Sequence, residues 1–532
     1  MTDIFGIDLG TTFSAIAHID DFGQPVVVNN PNGLPTTPSA VFFEPESGHI
    51  VVGQEAKNTA KVAADRVVTL IKAYMGETHP LEFDGQQHTP ESISGLILRS
   101  LAEYAEDGTG TKVERVVITV PAYFGVRERE ATRQAGVIAG LEVIGIVTEP
   151  VAAALAYGVT FRDERKTVLI YDLGGGTFDT TILRISPAAL DVVAIDGNRT
   201  LGGAQWDDRL AGHLNDRFMA ETGCDEDPML DEYFAQELYE QVEKVKISLS
   251  QKERTTLALK YGNHRAKLEV TRGEFEELTS GLIQQTKDIV DRTLASAREK
   301  VPDLTIDEVL LVGGSAQMPA VGAMLRAHYG WQARLSDPNL SVAKGAALYA
   351  ALSAAERAAF DPDATPVARH TLPAGAGPQA APRRITNVLP KGLGIQFVDT
   401  SGPQPEDYIG FLAHKNDELP LRETITAYTF AADQTQVQIQ VFEQGGEVES
   451  RRPADNREIT PTGGAVITGL PALPADSPIH ITVTIDAEGL AGIEAVEPVS
   501  GKRLTLTVSV SVLQADEVEA AKQLVRALVL ES

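Results

Sequence analysis

Two glycine-rich phrases, each opening on Asp-Leu-Gly, limit what this chain can fold into. Residues 7–12 read Ile-Asp-Leu-Gly-Thr-Thr, and residues 171–181 read Tyr-Asp-Leu-Gly-Gly-Gly-Thr-Phe-Asp-Thr-Thr. A β-type apolar run precedes each phrase (residues 4–7 and 168–171) and another follows it (13–19 and 180–185), so each predicts a hairpin with a glycine-rich turn. Turn glycines let backbone N–H groups converge on an anion, and threonine hydroxyls add donors. Two such turns facing each other would clamp the β- and γ-phosphates of a nucleotide. The aspartates before them, Asp8 and Asp172, would hold Mg²⁺ through its waters. A lone glycine-rich turn is usually just a turn, whereas two copies in register, each led by Asp-Leu-Gly, are specific.

At 532 residues the chain is long enough for two or more domains with ample core. A formal charge of −28 and a pI near 4.8 argue against nucleic acid or an anionic membrane as the main partner. A single cysteine, Cys224, excludes an intramolecular disulfide and fits a reducing compartment. The first residues carry no basic region ahead of a long apolar stretch, and no run approaches the length of a membrane span, so a cytoplasmic location is expected. No Gly-x-x-x-x-Gly-Lys-Ser/Thr loop is present, which excludes a P-loop ATPase. The histidines are scattered, without metal-ligand spacing.

Residues 1–358 alternate strand-like and helix-like segments, as α/β proteins do. Thr89-Pro90-Glu91 supplies an N-cap, an N1 proline and an early carboxylate, and Ile93, Leu96, Ile97, Leu101 and Tyr104 follow at helical spacing. Residues 116–120 predict a buried strand ending at Pro121, 127–139 a helix and 143–147 a strand, and Glu149-Pro150 opens an alanine-rich helix. Residues 359–387 form an Ala/Pro/Gly-rich linker. Beyond it, period-two segments at 424–430, 436–442, 479–485 and 504–512 predict an antiparallel β domain over 388–512. The last segment, 513–532, holds one short helix with Val518, Ala521, Val525 and Leu528 on one face and nothing after it.

With these phrases in view, the chain resembles an Hsp70-type, DnaK-like chaperone of the actin/hexokinase/Hsp70 superfamily, in a lidless variant. The carriers are residues 6–12 (Gly-Ile-Asp-Leu-Gly-Thr-Thr), 36–39 (Thr-Thr-Pro-Ser), 120–124 (Val-Pro-Ala-Tyr-Phe), 149–154 (Glu-Pro-Val-Ala-Ala-Ala), 172–179, 201–203 (Leu-Gly-Gly) and 311–315 (Leu-Val-Gly-Gly-Ser). The resemblance implies an actin-like ATPase domain, ribonuclease H-like and duplicated, followed by an antiparallel β-sandwich. It implies hydrolysis of ATP to ADP and phosphate with Mg²⁺ on Asp8 and Asp172, controlling the hold on exposed apolar peptide. Thr11, Thr12 and Thr177 would contact phosphate, with Gly10, Phe13, Gly174, Gly175, Gly176, Gly202, Gly203, Gly313, Gly314 and Ser315 around the nucleotide. Glu149 and Asp179 would orient the attacking water or the metal shell. On spacing alone Lys72 reads as a solvated lysine at a helix end; the resemblance makes it the residue that steadies the γ-phosphate and the water. Catalysis of this kind needs positioning and charge neutralisation more than covalent chemistry. Pro121 and Arg129 match the pair that relays nucleotide state toward the β domain.

The departures are equally specific. Around the base the resemblance points to Glu243, Lys246, Ile247, Ser250, Gln317 and Asn339, but both arginines that sandwich adenine in the family are replaced, by Ile247 and Gln317. A guanidinium stacked on a ring is worth roughly 0.5–2 kcal/mol, so ATP is expected to bind ~2- to 30-fold more weakly for each one lost. The acidic, leucine-rich linker of the family reads here Arg383-Arg384-Ile385-Thr386-Asn387-Val388-Leu389. Ile385, Val388 and Leu389 retain the apolar character needed for docking. An arginine used to recruit J-domain cochaperones falls at Gly145. These changes leave interdomain coupling and J-domain recruitment open, while a nucleotide-exchange factor remains an implied partner. In the β domain, peptide would lie extended between loops, and without a lid its residence should be short. A second reading is a nucleotide-gated scaffold holding one specific partner, favoured by the altered linker and Gly145. A third, a small-molecule kinase or filament-forming ATPase, does not explain the β domain.

Overall fold

Each Asp-Leu-Gly phrase closes a hairpin at the centre of its own sheet, and the two sheets share one plan. In the first lobe, strand Ile4–Asp8 turns into the antiparallel strand Phe13–Ile19, which pairs onward with Pro25–Val27. On its other side Ile4–Asp8 pairs in parallel with Arg115–Val120, and that strand with Glu142–Thr148. In the second lobe, Lys166–Leu173 turns into Phe178–Ile185 and then Ala189–Asn198, with Glu308–Val312 and Ala333–Leu335 parallel on the far side. The central strands are buried on both faces, which explains their unbroken apolar runs.

The computed structural model describes residues 4–531 apart from positions 46, 336, 401, 403, 430 and 471 and the stretches 159–164, 187–188, 338–339, 361–383, 461–464, 468–469, 499–502 and 507–512. Most of the Ala/Pro-rich linker, Asn339 and the end of the 504–512 segment lie outside the described residues. The predicted helix after Thr89 runs Pro90–Thr109: Thr89 accepts a hydrogen bond from the Ser92 N–H at 3.3 Å, and Gly110 ends the helix in the left-handed conformation. Helices Glu149–Gly158 and Ser341–Phe360 meet between the lobes through small buried residues, among them Ala152, Ala153, Ala346 and Ala350, which let the backbones approach closely. Among the described residues no helix is long and apolar enough to cross a membrane.

The β domain is two packed antiparallel sheets. One holds Leu393–Asp399, Glu406–Ala413, Val441–Glu443 and Arg457–Glu458; the other holds Leu421–Tyr428, Pro478–Ile485, Ala491–Val496 and Arg503–Leu506. Ile479, Ile481, Val483 and Ile485 alternate inward, as their period-two spacing requires. The segment expected as one strand over 436–442 breaks at Gln440: Val437–Ile439 pairs with Ala465–Ile467, while Val441–Glu443 joins Leu393–Asp399. The chain changes partner there, a common way to turn a sandwich corner.

Contacts between the lobes and the β domain are extensive. Strand Arg384–Thr386 adds in parallel to the edge of the second-lobe sheet, Ile385 opposite Leu190. Val388 is buried with the interlobe core and Leu389 with the β-domain core, whose cluster also takes in Val126 of the first lobe. All three apolar linker residues dock without the family's acidic anchor.

The C-terminal helix, Ala515–Ala527, neither covers the β domain nor stands over it. It packs on helices Pro90–Thr109 and Val126–Ile138, burying Val525 and Leu528 in the first-lobe core. The Arg99 Nη1 donates to the Val525 and Leu528 carbonyls at 2.7 and 2.9 Å, satisfying groups that a helix end leaves open. A strand follows the helix: Val529–Glu531 pairs in parallel with His49–Val52, Leu530 opposite Ile50. Three residues are too few for the period-two signal, so the sequence pattern misses it. Val525→Asp places an unpaired carboxylate in this core, a change that costs about 3 kcal/mol or more. Amide exchange should then show loss of protection across residues 515–531, with the sandwich strands unchanged.

Candidate active site

The two glycine turns face each other across the cleft. A Cβ built on Gly175 would lie 1.9 Å from Thr12 Oγ1, and one on Gly176 would lie 2.8 Å from Thr11 Cγ2, so only glycine permits this approach. The first turn is braced from behind: Ser39 Oγ donates to the Gly10 carbonyl at 2.7 Å, and the Gly10 N–H donates to Ser14 Oγ at 3.2 Å. The second is tied to the Leu-Gly-Gly segment, whose Gly203 N–H donates to the Gly174 carbonyl at 3.0 Å and Ala204 N–H to the Gly175 carbonyl at 2.7 Å. Gly313, at φ +83°, runs so near Leu173 that a Cβ would meet its carbonyl oxygen at 2.4 Å. Four separate loops thus pack backbone against backbone at one place.

Beside the turns lies a buried group of charges. Asp172 stands opposite Asp179 across the second hairpin. Lys72, in the short turn Ile71–Tyr74, is only 4% exposed, and its Nζ is 2.5 Å from Glu149 Oε1. The reading of Lys72 as a solvated residue does not hold. Thr119 Oγ1 donates to Asp8 Oδ1 at 3.0 Å, and the Tyr123 N–H donates to Asp179 Oδ1 at 3.3 Å. Burial, with Glu149 adding repulsion, pushes the Asp8 carboxyl up to about 7 against the pull of Lys72. Burial and the neighbouring carboxylates drive Asp172 and Asp179 well above the usual carboxylate range. Four largely buried acids against one lysine is a charge set that a divalent cation would relieve, so the chemistry of these residues fits Mg²⁺.

Helix Glu232–Gln251 carries Glu243, Lys246, Ile247 and Ser250 at helical spacing. Lys246 Nζ donates to the Gly203 carbonyl at 3.1 Å and pairs with Asp207 at 2.5 Å, which ties this helix to the Leu-Gly-Gly segment. Ser250 Oγ donates to the Lys246 carbonyl at 3.2 Å. Glu243 pairs with Lys57 of the first lobe at 2.7 Å, a link across the cleft. Ile247 is 55% exposed, Phe13 is exposed with Lys57 Nζ 5.3 Å from its ring centroid, and Gln317 is exposed next to buried Ser315.

At the domain boundary Arg129 is buried, its Nε donating to the Phe124 carbonyl at 2.8 Å and its Nη1 to the Glu488 carbonyl of the β domain at 2.8 Å. Burial pulls its guanidinium down to about 10. Gly145 lies beside Glu488, whose Oε1 would be 3.4 Å from an added Cβ. Sequence reasoning missed Thr119, Ser14, Lys57 and Asp207. Thr119 had a signal, since a hydroxyl inside an otherwise apolar buried strand needs a partner. Lys57 and Asp207 had none, because each acts through a residue distant in sequence.

A family model described as Hsp70 protein matches residues 4–83, 80–366 and 377–527. The chain is 36% identical over 516 residues to the chaperone protein DnaK of Thermosipho melanesiensis (strain DSM 12029 / CIP 104789 / BI429), covering 95% of this chain and 80% of that relative. The chaperone protein DnaK of Thermosipho africanus (strain TCF52B) gives the same identity and the same coverage. Two opposed glycine turns, a group of acids around one buried lysine and a β-sandwich on a docked linker agree with those matches: the chain belongs to the Hsp70 family of ATP-dependent molecular chaperones, which hydrolyse ATP.

Proposed function

We propose that residues 1–358 are the ATPase, 359–387 the linker and 388–512 the peptide-holding domain, with 513–532 a strap on the first lobe. The observation that carries this reading is the convergence of Lys72, Asp8, Glu149, Asp172 and Asp179 beside the two turns. Backbone N–H groups of Gly175 and Gly176 take the phosphates, while those of Gly174, Gly202 and Gly203 are spent on Thr177, Gln205 and Gly174 and hold the loops together; Thr11, Thr12 and Thr177 add hydroxyl donors. Lys72 steadies the γ-phosphate and the attacking water, and Glu149 and Asp179 orient that water. Asp8 and Asp172 would hold Mg²⁺, which would supply charge neutralisation for the phosphates. These groups are pre-placed, so little reorganisation accompanies the reaction.

The β domain binds extended apolar peptide, and the cell compartment is the cytoplasm. DnaK-like chaperones act with cochaperones; a nucleotide-exchange factor fits this chain, whereas J-domain stimulation is expected to be weak with Gly145 at the recruiting position. Peptide exchange tests the reading in the full-length protein. ATP should release a fluorescent apolar peptide at least about tenfold faster than ADP, and several unrelated apolar peptides should behave alike. Equal release rates in ATP and ADP would remove nucleotide control. Ile247→Arg restores a stacking guanidinium and should tighten ATP by ~2- to 30-fold, read by equilibrium binding.

A further inference from the structure

We infer that Ser39, acting with Ser14, is a positioning residue that aims the Thr11 N–H at the phosphates of the nucleotide. This rests on the reading of the two glycine turns as phosphate turns. Ser39 closes the phrase Thr-Thr-Pro-Ser at 36–39, which the roles assigned above leave without a task. Thr37–Pro38 is a short strand paired with Phe13 and Ser14, directly behind the first turn. Asn30, itself buried, anchors it: Nδ2 donates to the Thr36 carbonyl at 3.0 Å and to Thr37 Oγ1 at 3.3 Å. Pro38 fixes its own φ and leaves no N–H to satisfy. Ser39 is thereby delivered to one place, and from there it reaches the turn twice. Its N–H donates to the Thr12 carbonyl at 2.9 Å and its Oγ to the Gly10 carbonyl at 2.7 Å.

The hydroxyl protons fit these contacts in one way only. A carbonyl can only accept, so the Ser39 proton goes to Gly10. The Ser14–Ser39 contact at 2.9 Å then needs Ser14 as its donor, and Ser14 Oγ accepts the Gly10 N–H at 3.2 Å. The result is a closed ring that holds Gly10 by both its N–H and its carbonyl. Both serines are buried, so water does not compete for these bonds. A trans peptide points its N–H opposite to its carbonyl. With the Gly10 carbonyl drawn back to Ser39, the Thr11 N–H of the same peptide points away from the brace, and it donates to no group among the described residues. The Thr11 side chain lies against Gly176 of the opposite turn. The first turn thus adds a backbone donor to those of Gly175 and Gly176, and two buried serines set its direction.

Equilibrium binding of ATP and of adenosine to the full-length chain tests this, with amide exchange at Thr11 as a direct readout. Ser39→Ala should weaken ATP by about tenfold and speed exchange of the Thr11 amide in the ATP complex. Adenosine, which carries no phosphate, should stay within about twofold. Thr37→Val removes a neighbouring hydroxyl bonded to Asn30 and Tyr104 rather than to the turn, and should change ATP affinity by less than about twofold. Because the ring acts as a unit, Ser14→Ala and Ser39→Ala together should cost less than the product of the single effects. Wild-type ATP affinity in Ser39→Ala, an equal loss for adenosine, or an equal loss in Thr37→Val overturns the inference. Should Ser39→Ala fail to fold, Ser14→Ala decides: a loss confined to ATP supports the inference, and wild-type ATP affinity overturns it. Gly175→Ala separates the two levels, since its Cβ would press on Thr12 Oγ1 and unchanged ATP affinity there would refute the phosphate role of the turns themselves.

Discussion

Lys72→Ala is expected to lower ATP turnover by about 10²- to 10³-fold while ATP affinity changes much less. In the proposed role the buried ammonium, 2.5 Å from Glu149 and 4% exposed, would face the negative charge transferred during hydrolysis. In a water-excluded cleft such a donor is worth far more than at a surface. Single-turnover hydrolysis set against equilibrium ATP binding gives the answer. A fall in turnover with affinity retained marks an interaction strengthened in the transition state; a parallel fall in affinity alone would mean that Lys72 merely holds ATP.

Gly202→Ala is expected to weaken ATP binding and turnover on the order of 10²-fold, the scale of a 1 Å misplacement in a site of this kind. A Cβ at Gly202 would lie 2.3 Å from the Gly176 carbonyl carbon and 2.5 Å from the Thr177 nitrogen. These are backbone atoms, so the two loops must separate and carry their N–H donors with them. The helix Gly203–Thr222 behind them is secured by Trp206, Leu210, Leu214 and Phe218, so the fold survives. Gly212→Ala on the same helix is the control: nothing lies within 4 Å of its Cβ, and ATP binding should be unchanged.

What was legible in the sequence follows from how local each feature is. Both hairpins and their turns were readable because β-runs, glycines and aspartates lie close together in sequence, over residues 4–19 and 166–185. Lys72 was not legible from its spacing, which suits a solvated helix end; the resemblance singled it out, and the structure buries it against Glu149, far along the chain. The linker shows the reverse. Its missing acidic anchor left interdomain coupling open, while Ile385, Val388 and Leu389 kept the apolar character for docking; in the structure they supply the apolar contacts and Arg384–Thr386 the strand pairing, and neither needs a carboxylate. Backbone pairing is blind to side-chain charge, which also explains why the strand Val529–Glu531 left no pattern. The helix before it was readable from Val518, Ala521, Val525 and Leu528, but an amphipathic face does not say which core it joins.

Nucleotide control of the β domain is the central claim, and hydrogen exchange on the full-length protein in apo, ADP and ATP states tests it most directly. Binding in any state should change protection around Asp8, Asp172 and Gly313. The account predicts that ATP, unlike ADP, also changes protection in residues 384–389 and onward through the strands of residues 393–496. Changes confined to the nucleotide cleft, with the linker strand and sandwich identical in ATP and ADP, would contradict it.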